Sequence, residues 1–440
     1  MFYCDTIVIL MNVILIGIDA LRADHLGCYG YRRNTSPNID ALAQKGVRFK
    51  KCFSQAYLTA PSFMSIMTSR YPTYHGVTSN ISGAKSGCRA EVADSGTPIL
   101  AEILKNNGYR TAAFTDGGNL YGKLGFSRGF DYYSINRGFG KRKAIMPEND
   151  ILYWLEENKD NDFFLFFHTY SVHSPWVIPE KYRNAFGEGG AKFYHEEKPE
   201  NIAAEYADMY AREISEYLEL LTSIAGKNNA ENVEYLKDLY DCAILYVDQF
   251  IGRVTKFLED LVISDKTIII FTADHGEEFF EHGKLSHQQF YNELLSVPLI
   301  IYAPGANSTG FSSDTARSID IYPTILGLLS IKISHPIHGL TLFPEKNDAA
   351  KHVIISELGE RGMAIQGDKY KYICQASDEL YNLTNDPTEK NNIASDHPDT
   401  ILKMRSDFNE ELRRPSISKP QKNILQLSGN RINRRYESRL

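Results

Sequence analysis

An α/β fold is what this sequence predicts: one large, mostly parallel or mixed sheet sandwiched by helices, followed by a small C-terminal antiparallel-sheet subdomain. Three observations predict it. The β-branched or aromatic runs NVILIGI (12–18), FFLFFHTY (163–170) and TIIIFTA (267–273) have the unbroken apolar character of strands buried on both faces. Helical patterns lie between them, and alternating strands and helices argue for a parallel sheet covered on both sides. After about residue 331 the texture changes to short, alternating, turn-bounded stretches, HVIISEL, MAIQGDKYKYICQ and ELYNL, which suit a small antiparallel sheet.

The elements follow in order. Asn12 to Ile18 is the first buried strand, and the residues before Met11 are an extra segment or an over-extended start. SPNIDALAQKGV has a Ser-Pro opening and a Gly end, the grammar of a helix, and TPILAEILKNNGY repeats it. Residues 181–262 are rich in Glu, Lys, Tyr and Ala and read as mainly helical, ending in LYDCAILYVDQFIGRVTKFLEDL. The catalytic domain is thus expected over 12–330 and the small subdomain over 331–415, with 416–440 a basic polar tail.

Bulk properties exclude several classes. The chain has 440 residues, enough for a large core plus a second unit, with 43% hydrophobic and 23% charged residues. Its net charge of -7 gives no electrostatic footprint for nucleic acid. Six cysteines are scattered without a CxxC pair or a disulfide framework, which favours a reducing compartment. The apolar N-terminus lacks the cationic start and cleavage site of a signal peptide and meets Asp19 before it could span a bilayer. A cytoplasmic protein with no integral membrane segment is therefore expected.

Each apolar run is followed by residues able to do chemistry: Asp19 after the first, His168 and His173 at the second, and Asp274-His275 after the third. In open α/β sheets ligands bind at the carboxyl ends of the strands, which is where these residues fall. In YLTAPSFMSIMTSRYP, Pro61 is well placed as the first residue of a helix, so Thr59 stands just ahead of free N–H groups that stabilise an anion. Plain helix capping explains Thr59 equally. Asp19 reads either as a metal ligand or as a turn or N-cap residue, and Asp274-His275 either as a ligand pair or as a surface turn. Asp19, Thr59, Asp274 and His275 together give three oxygens and one imidazole. That set suits one Zn²⁺ or Mn²⁺ and tolerates other divalent ions, Ca²⁺ included. A cation on the threonine oxygen would lower its pKa and hold it for attack.

Several segments, in order, resemble the sulfatase family of the alkaline-phosphatase superfamily. NVILIGIDALRADHLGCYGYRRNTSPNIDALAQKGVRF resembles the family's opening and TSRYPTYHGV the segment after its nucleophile. TIIIFTADHGEEFFEHG with YNELLSVPLIIYAPG resembles its second metal segment. RSIDIYPTILGLL and ELYNLTNDPTEKNNIA resemble its late signatures. The resemblance covers roughly residues 12–395 and implies the alkaline-phosphatase-like fold with a small four-stranded C-terminal sheet. It also gives His173, in HTYSVHSPW, the place of the histidine serving the leaving-group oxygen, against a hydrogen-bonded pocket histidine. His287 takes the place of a substrate-anion lysine, as an acid or a metal-side ligand, against a purely structural part. His282 reads as structural.

Departures from the family pattern shape the expected chemistry. Thr59 and Phe63 hold the first and last places of the C/S-x-P-x-R motif whose first residue becomes formylglycine, and oxidised Thr would be a ketone. No formylglycine is therefore expected. Asp19-Ala20 replaces an Asp-Asp pair, Asp274-His275 replaces Asp-Asn, and GYRTAAFTDGGNL runs on without the family's GKWHLG. The reading these support is metal-dependent hydrolysis of a sulfate or phosphate ester, from a small molecule, a glycan or a lipid head group, through a covalent Thr59 intermediate. One alternative is a phosphoryl-head-group transferase of the phosphoethanolamine or glycerol-phosphate type. The other is an inactive binding relative.

Overall fold

β1 (Asn12–Ile18) runs through the middle of a nine-stranded sheet. The computed structural model describes residues 11–82, 88–136, 146–174, 176, 178–187, 230–305, 310–343, 353–414, 419 and 423–427. β6 (Phe163–Thr169) and β7 (Thr267–Ala273) flank β1 in parallel, and every residue of all three strands is buried. β4 (Arg110–Thr115) and β5 (Tyr132–Ile135) extend the parallel part beyond β6. On the other side β11 (Leu299–Tyr302) runs antiparallel to β7 and to β2 (Val47–Phe53). β2 also takes β10 (Ser296–Val297) and β12 (Gly310–Arg317), so the sheet is mixed.

Both faces are covered, which is why the three runs carry no polar alternation. Phe166 meets Phe63 with ring centroids 5.7 Å apart, whereas its neighbour Phe167 meets Phe250 at 4.8 Å. Phe63 belongs to α2 (Thr59–Thr68), which follows α1 (Pro37–Lys45) in the chain. Phe250 belongs to the long helix Ala230–Asp260. Gly17 lets α2 approach β1, since a Cβ there would lie 2.4 Å from the Phe63 ring. Residues 188–229 of the segment expected to be helical lie outside the described residues.

The small sheet is wholly antiparallel, in the order β13 (Ile354–Glu357), β14 (Met363–Gln366), β15 (Tyr370–Cys374) and β16 (Asp378–Asn382). Successive residues point to opposite faces of a strand, and each face has its own partner. Ile365, Tyr372 and Leu380 pack on Ile401 and Met404 of the helix Pro398–Arg413. Ala364, Ile373 and Tyr381 pack on Phe53, Tyr57, Leu58, Phe290 and Leu294. The second face thus braces the segment that leads into Thr59.

β8 (Glu278–Phe279) and β9 (Leu285–Ser286) form a short hairpin behind the end of β7. The reading of 416–440 as a polar tail needs amending over five residues. There β17 (Asn423–Leu427) pairs antiparallel with β3 (Cys88–Val92), the ILQL run supplying strand character that the surrounding basic residues masked. Among the described residues no helix is long and apolar enough to cross a membrane.

Candidate active site

Parallel pairing sets Gly17 level with both His168 and Thr272, so the chain leaves β1, β6 and β7 along one edge. Asp19 leaves β1 there, its N–H donating to the Thr169 carbonyl at 3.1 Å. Ala20 follows in the left-handed region at φ +58°, a conformation that costs a non-glycine residue about 1–3 kcal/mol. The turn is held from both sides. Ala20 N–H donates to Asp274 Oδ1 (3.1 Å), and the Tyr240 hydroxyl donates to the Ala20 carbonyl (2.7 Å) while accepting from Arg22 N–H (2.8 Å).

The Asp274-His275 pair is fixed by its own backbone. His275 N–H donates to Asp274 Oδ1 at 2.8 Å. Gly276 is needed next because a Cβ there would lie 2.0 Å from the Glu293 carbonyl oxygen. His275 Nδ1 lies 2.8 Å from the Gly276 carbonyl, an acceptor only, so Nδ1 carries the proton and Nε2 keeps a lone pair. That Nε2 is 3.4 Å from Asp274 Oδ2 and 3.8 Å from Asp19 Oδ1.

α2 starts at Thr59, two residues before the expected start at Pro61, so Thr59 is its first helical residue. The Thr59 hydroxyl is buried and has no hydrogen-bond partner, so it does not act as the cap that Thr usually provides. Asn80 Oδ1 takes the next amide, Ala60 N–H, at 2.9 Å. Ser62 Oγ donates to the Asp274 carbonyl at 2.7 Å and thereby ties the first turn of α2 to the end of β7.

These groups fit a cation. Ligand atoms of Asp19, Asp274 and His275 all lie within 4.8 Å of one another, and all three residues are fully buried. Both Asp19 oxygens, Asp274 Oδ2 and His275 Nε2 lack hydrogen-bond partners, although buried polar atoms are nearly always paired. Burial works against the Asp19 charge, but His168, His173 and His275 outweigh it and hold the carboxyl below the usual range. Burial and the Asp19 charge push Asp274 well above its usual range. Burial pushes His275 down, keeping its imidazole neutral. Two adjoining carboxylates and a neutral imidazole lone pair want a positive centre between them.

His173 and His287 come together at the same rim, with their Nε2 atoms 3.0 Å apart. His173 Nδ1 faces the Ser174 carbonyl at 2.5 Å and so carries a proton, which makes His173 Nε2 the acceptor and His287 Nε2–H the donor. The His287 ring also packs on His275 with centroids 4.3 Å apart. Burial first, then His275 and His173, push His287 well below its ordinary pKa. All six residues read from the sequence thus stand along the carboxyl end of the sheet.

Three residues received no role from the sequence, His168 among them although it was named with the residues able to do chemistry. His168 is fully buried, and its Nε2 lies 3.5 Å from Asp19 Oδ2; a lone histidine inside FFLFFHTY was the available signal. Glu277 is buried with both carboxylate oxygens unpartnered, and burial and the Asp19 charge push its pKa well up. Tyr240 holds the Ala20 turn from a helix more than 200 residues away, for which the sequence carries no signal. His282, read as structural, stacks on Tyr291 at 3.5 Å and sits 3.4 Å from Glu293. Glu389 closes that group, and the buried Lys371 supplies its positive charge through a 2.7 Å ion pair.

Comparison with known proteins adds the family. A family model described as Sulfatase matches residues 11–331, and one described as N-sulphoglucosamine sulphohydrolase, C-terminal, matches 280–416. The chain is 23% identical over 477 residues to N-acetylglucosamine-6-O-sulfatase of Bacteroides thetaiotaomicron, covering 87% of this chain and 82% of the relative. To iduronate 2-sulfatase of Homo sapiens it is 24% identical over 421 residues, covering 80% and 75%. A solved structure in complex with D-glucosamine-2-N,6-O-disulfate superposes with a TM-score of 0.74 at 21% identity, covering 92% of this chain and 98% of the other. Phosphonate monoester hydrolase of Agrobacterium radiobacter gives 0.69 at 20% identity, covering 93% and 100%. Both structures share the fold expected from the sequence.

One expectation is corrected by these relatives. The exclusion of formylglycine and the preference for Zn²⁺ or Mn²⁺ rested on single side chains, Thr59 and His275. The arylsulfatase and iduronate 2-sulfatase relatives are formylglycine-dependent enzymes with a calcium-type metal site, so that expectation does not stand. The residue at one position identifies the oxygen present there; it does not override a likeness that runs through most of the chain.

Proposed function

Because this chain belongs to the sulfatase family, we propose that it is a metal-dependent hydrolase of sulfate or phosphate esters in which Thr59 Oγ1 is the attacking atom. The observation that carries the reading is the buried, unpartnered Thr59 hydroxyl on a helix bonded to the end of β7, where Asp19, Asp274 and His275 converge. A divalent cation held by Asp19, Asp274, His275 and the Thr59 oxygen would favour the alkoxide and offset charge developing on the ester.

The chain's own groups supply the rest. The N-terminus of α2 adds partial positive charge beside Thr59. Attack by Thr59 Oγ1 would leave the sulfuryl or phosphoryl group on Thr59 and release the alcohol, and water would then free the enzyme. His173 and His287 share one N–H between their Nε2 atoms, and the proton that leaves Thr59 Oγ1 would be taken up by this pair and delivered to the departing oxygen. Buried apolar strands behind the rim keep the local dielectric low and strengthen each of these interactions.

Matched relatives named for sulfated sugars support a sulfated glycan as substrate. The phosphonate monoester hydrolase neighbour keeps phosphoryl esters in view. A paired assay of aryl sulfate, aryl phosphate and aryl phosphodiester tests the reading, run on chelator-treated protein restored with Ca²⁺, Mn²⁺ or Zn²⁺ in turn. Turnover of at least one ester that depends on the added ion is expected. Ion-independent turnover, or none with any ester, would overturn it.

A further inference from the structure

We propose that His168 is a positioning residue of this metal centre, donating Nε2–H to Asp19 Oδ2 so that Asp19 presents Oδ1 to the cation. The proposal rests on the reading above that Asp19, Asp274 and His275 hold a divalent ion. Its basis is the division of labour between the two Asp19 oxygens. Oδ1 faces His275 Nε2 at 3.8 Å, inside the ligand cluster, whereas Oδ2 faces His168 Nε2 at 3.5 Å. His168 does not join Asp274 and His275 in the group whose ligand atoms all lie within 4.8 Å of one another. It therefore stands behind Asp19, where a group that orients a ligand belongs, and not among the ligands.

The His168 side chain is fully buried, and neither ring nitrogen has a hydrogen-bond partner. A buried imidazole N–H without an acceptor is costly, and the nearest carboxylate is Asp19. The ring is gripped edge-on by Phe63 (centroids 5.0 Å, planes at 90°) and by Tyr170 (4.7 Å, 88°). Direction and distance come from the sheet itself: His168 is the register partner of Gly17 on the neighbouring parallel strand, two residues before Asp19. Phe63 is admitted to this place because Gly17 has no Cβ to meet its ring.

The test is a metal titration, which needs no substrate. Chelator-treated full-length wild type, His168→Leu and His168→Gln are titrated by calorimetry with whichever of Ca²⁺, Mn²⁺ and Zn²⁺ binds wild type most tightly. Leu removes the N–H at similar volume; Gln restores an N–H donor that cannot serve as a nitrogen ligand. Loss of an outer partner of a ligand costs about 10–100-fold in metal affinity, so His168→Leu should bind about that much more weakly and His168→Gln should recover most of it. Affinity in His168→Leu within twofold of wild type would overturn the proposal. So would His168→Gln binding as weakly as Leu, which would make the ring nitrogen a ligand. If the Leu variant lacks a cooperative melt, the Gln variant decides alone: near-wild-type affinity supports the proposal and a tenfold loss overturns it. Wild type that binds none of the three ions would sink the underlying metal reading as well, an outcome distinct from wild type and Leu binding alike.

Discussion

Two buried polar clusters in this molecule are built in opposite ways. At the end of β12, Arg317 is almost fully buried and every direction of its guanidinium is taken. It donates to both Asp320 oxygens, to Glu411 Oε1 at 2.7 Å, to the Tyr71 hydroxyl and to the His338 carbonyl. At the ends of β1 and β7, Asp19, Asp274 and His275 are at least as buried, yet each keeps an atom without a partner. Burying charge is costly unless it is paired and hydrogen-bonded. The Arg317 cluster finds that compensation inside the chain and joins the main sheet to the helix Pro398–Arg413. The strand-end cluster keeps unpartnered atoms that, under the proposed function, a divalent ion would complete, and this difference is what the reading of a site rests on.

The largest expected effect tests the site side of that contrast. Thr59→Ala should lose ester hydrolysis by a factor on the order of 10⁴, because the two-step route disappears, while its melting temperature stays near that of wild type. Thr59→Ser should keep much of the activity. A Thr59→Ala enzyme within tenfold of wild type on both an activated and an unactivated ester would reduce Thr59 to a helix residue.

Arg317→Met probes the other cluster. Removing one partner leaves Asp320 and Glu411 buried without their cation, which should destabilise the fold by about 3–5 kcal/mol, read from a urea midpoint. Metal affinity of the folded protein should not change. A stability loss under about 1 kcal/mol, the worth of an exposed pair, would erase the contrast between the clusters.

A smaller and more selective effect is expected from His173→Ala. Unactivated esters should slow by about 100-fold, the low end of general acid catalysis, and activated aryl esters far less, because their leaving groups depart without a proton. Equal slowing of both classes would assign the His173–His287 contact to structure.

How much of this was legible in the sequence follows from range. β1, β6 and β7 were readable because a strand buried on both faces must be apolar throughout, and the polar residues that end these runs then stand out. The small antiparallel sheet was readable from its short alternating strands. β2 and β12 were not named, since VRFKKCF and GFSSDTAR carry the charged and polar residues of strands near the sheet's margin. The start of α2 at Thr59 was misplaced because Pro61 suits the first turn of a helix at more than one position. What no local pattern could give was pairing across the chain. The His173–His287 contact spans 114 residues, Tyr240 reaches Ala20 across 220, and His168 meets Asp19 through the register of two strands.

Under the proposed function, the unpartnered atoms at the strand ends belong to a cation. Elemental analysis after exhaustive dialysis tests it most directly, on wild type, Asp274→Ala and Arg317→Met side by side. One divalent ion per folded chain is predicted for wild type and for Arg317→Met, and a clear loss for Asp274→Ala. Equal metal in wild type and Asp274→Ala would contradict the ligand set and, with it, the distinction between the two clusters.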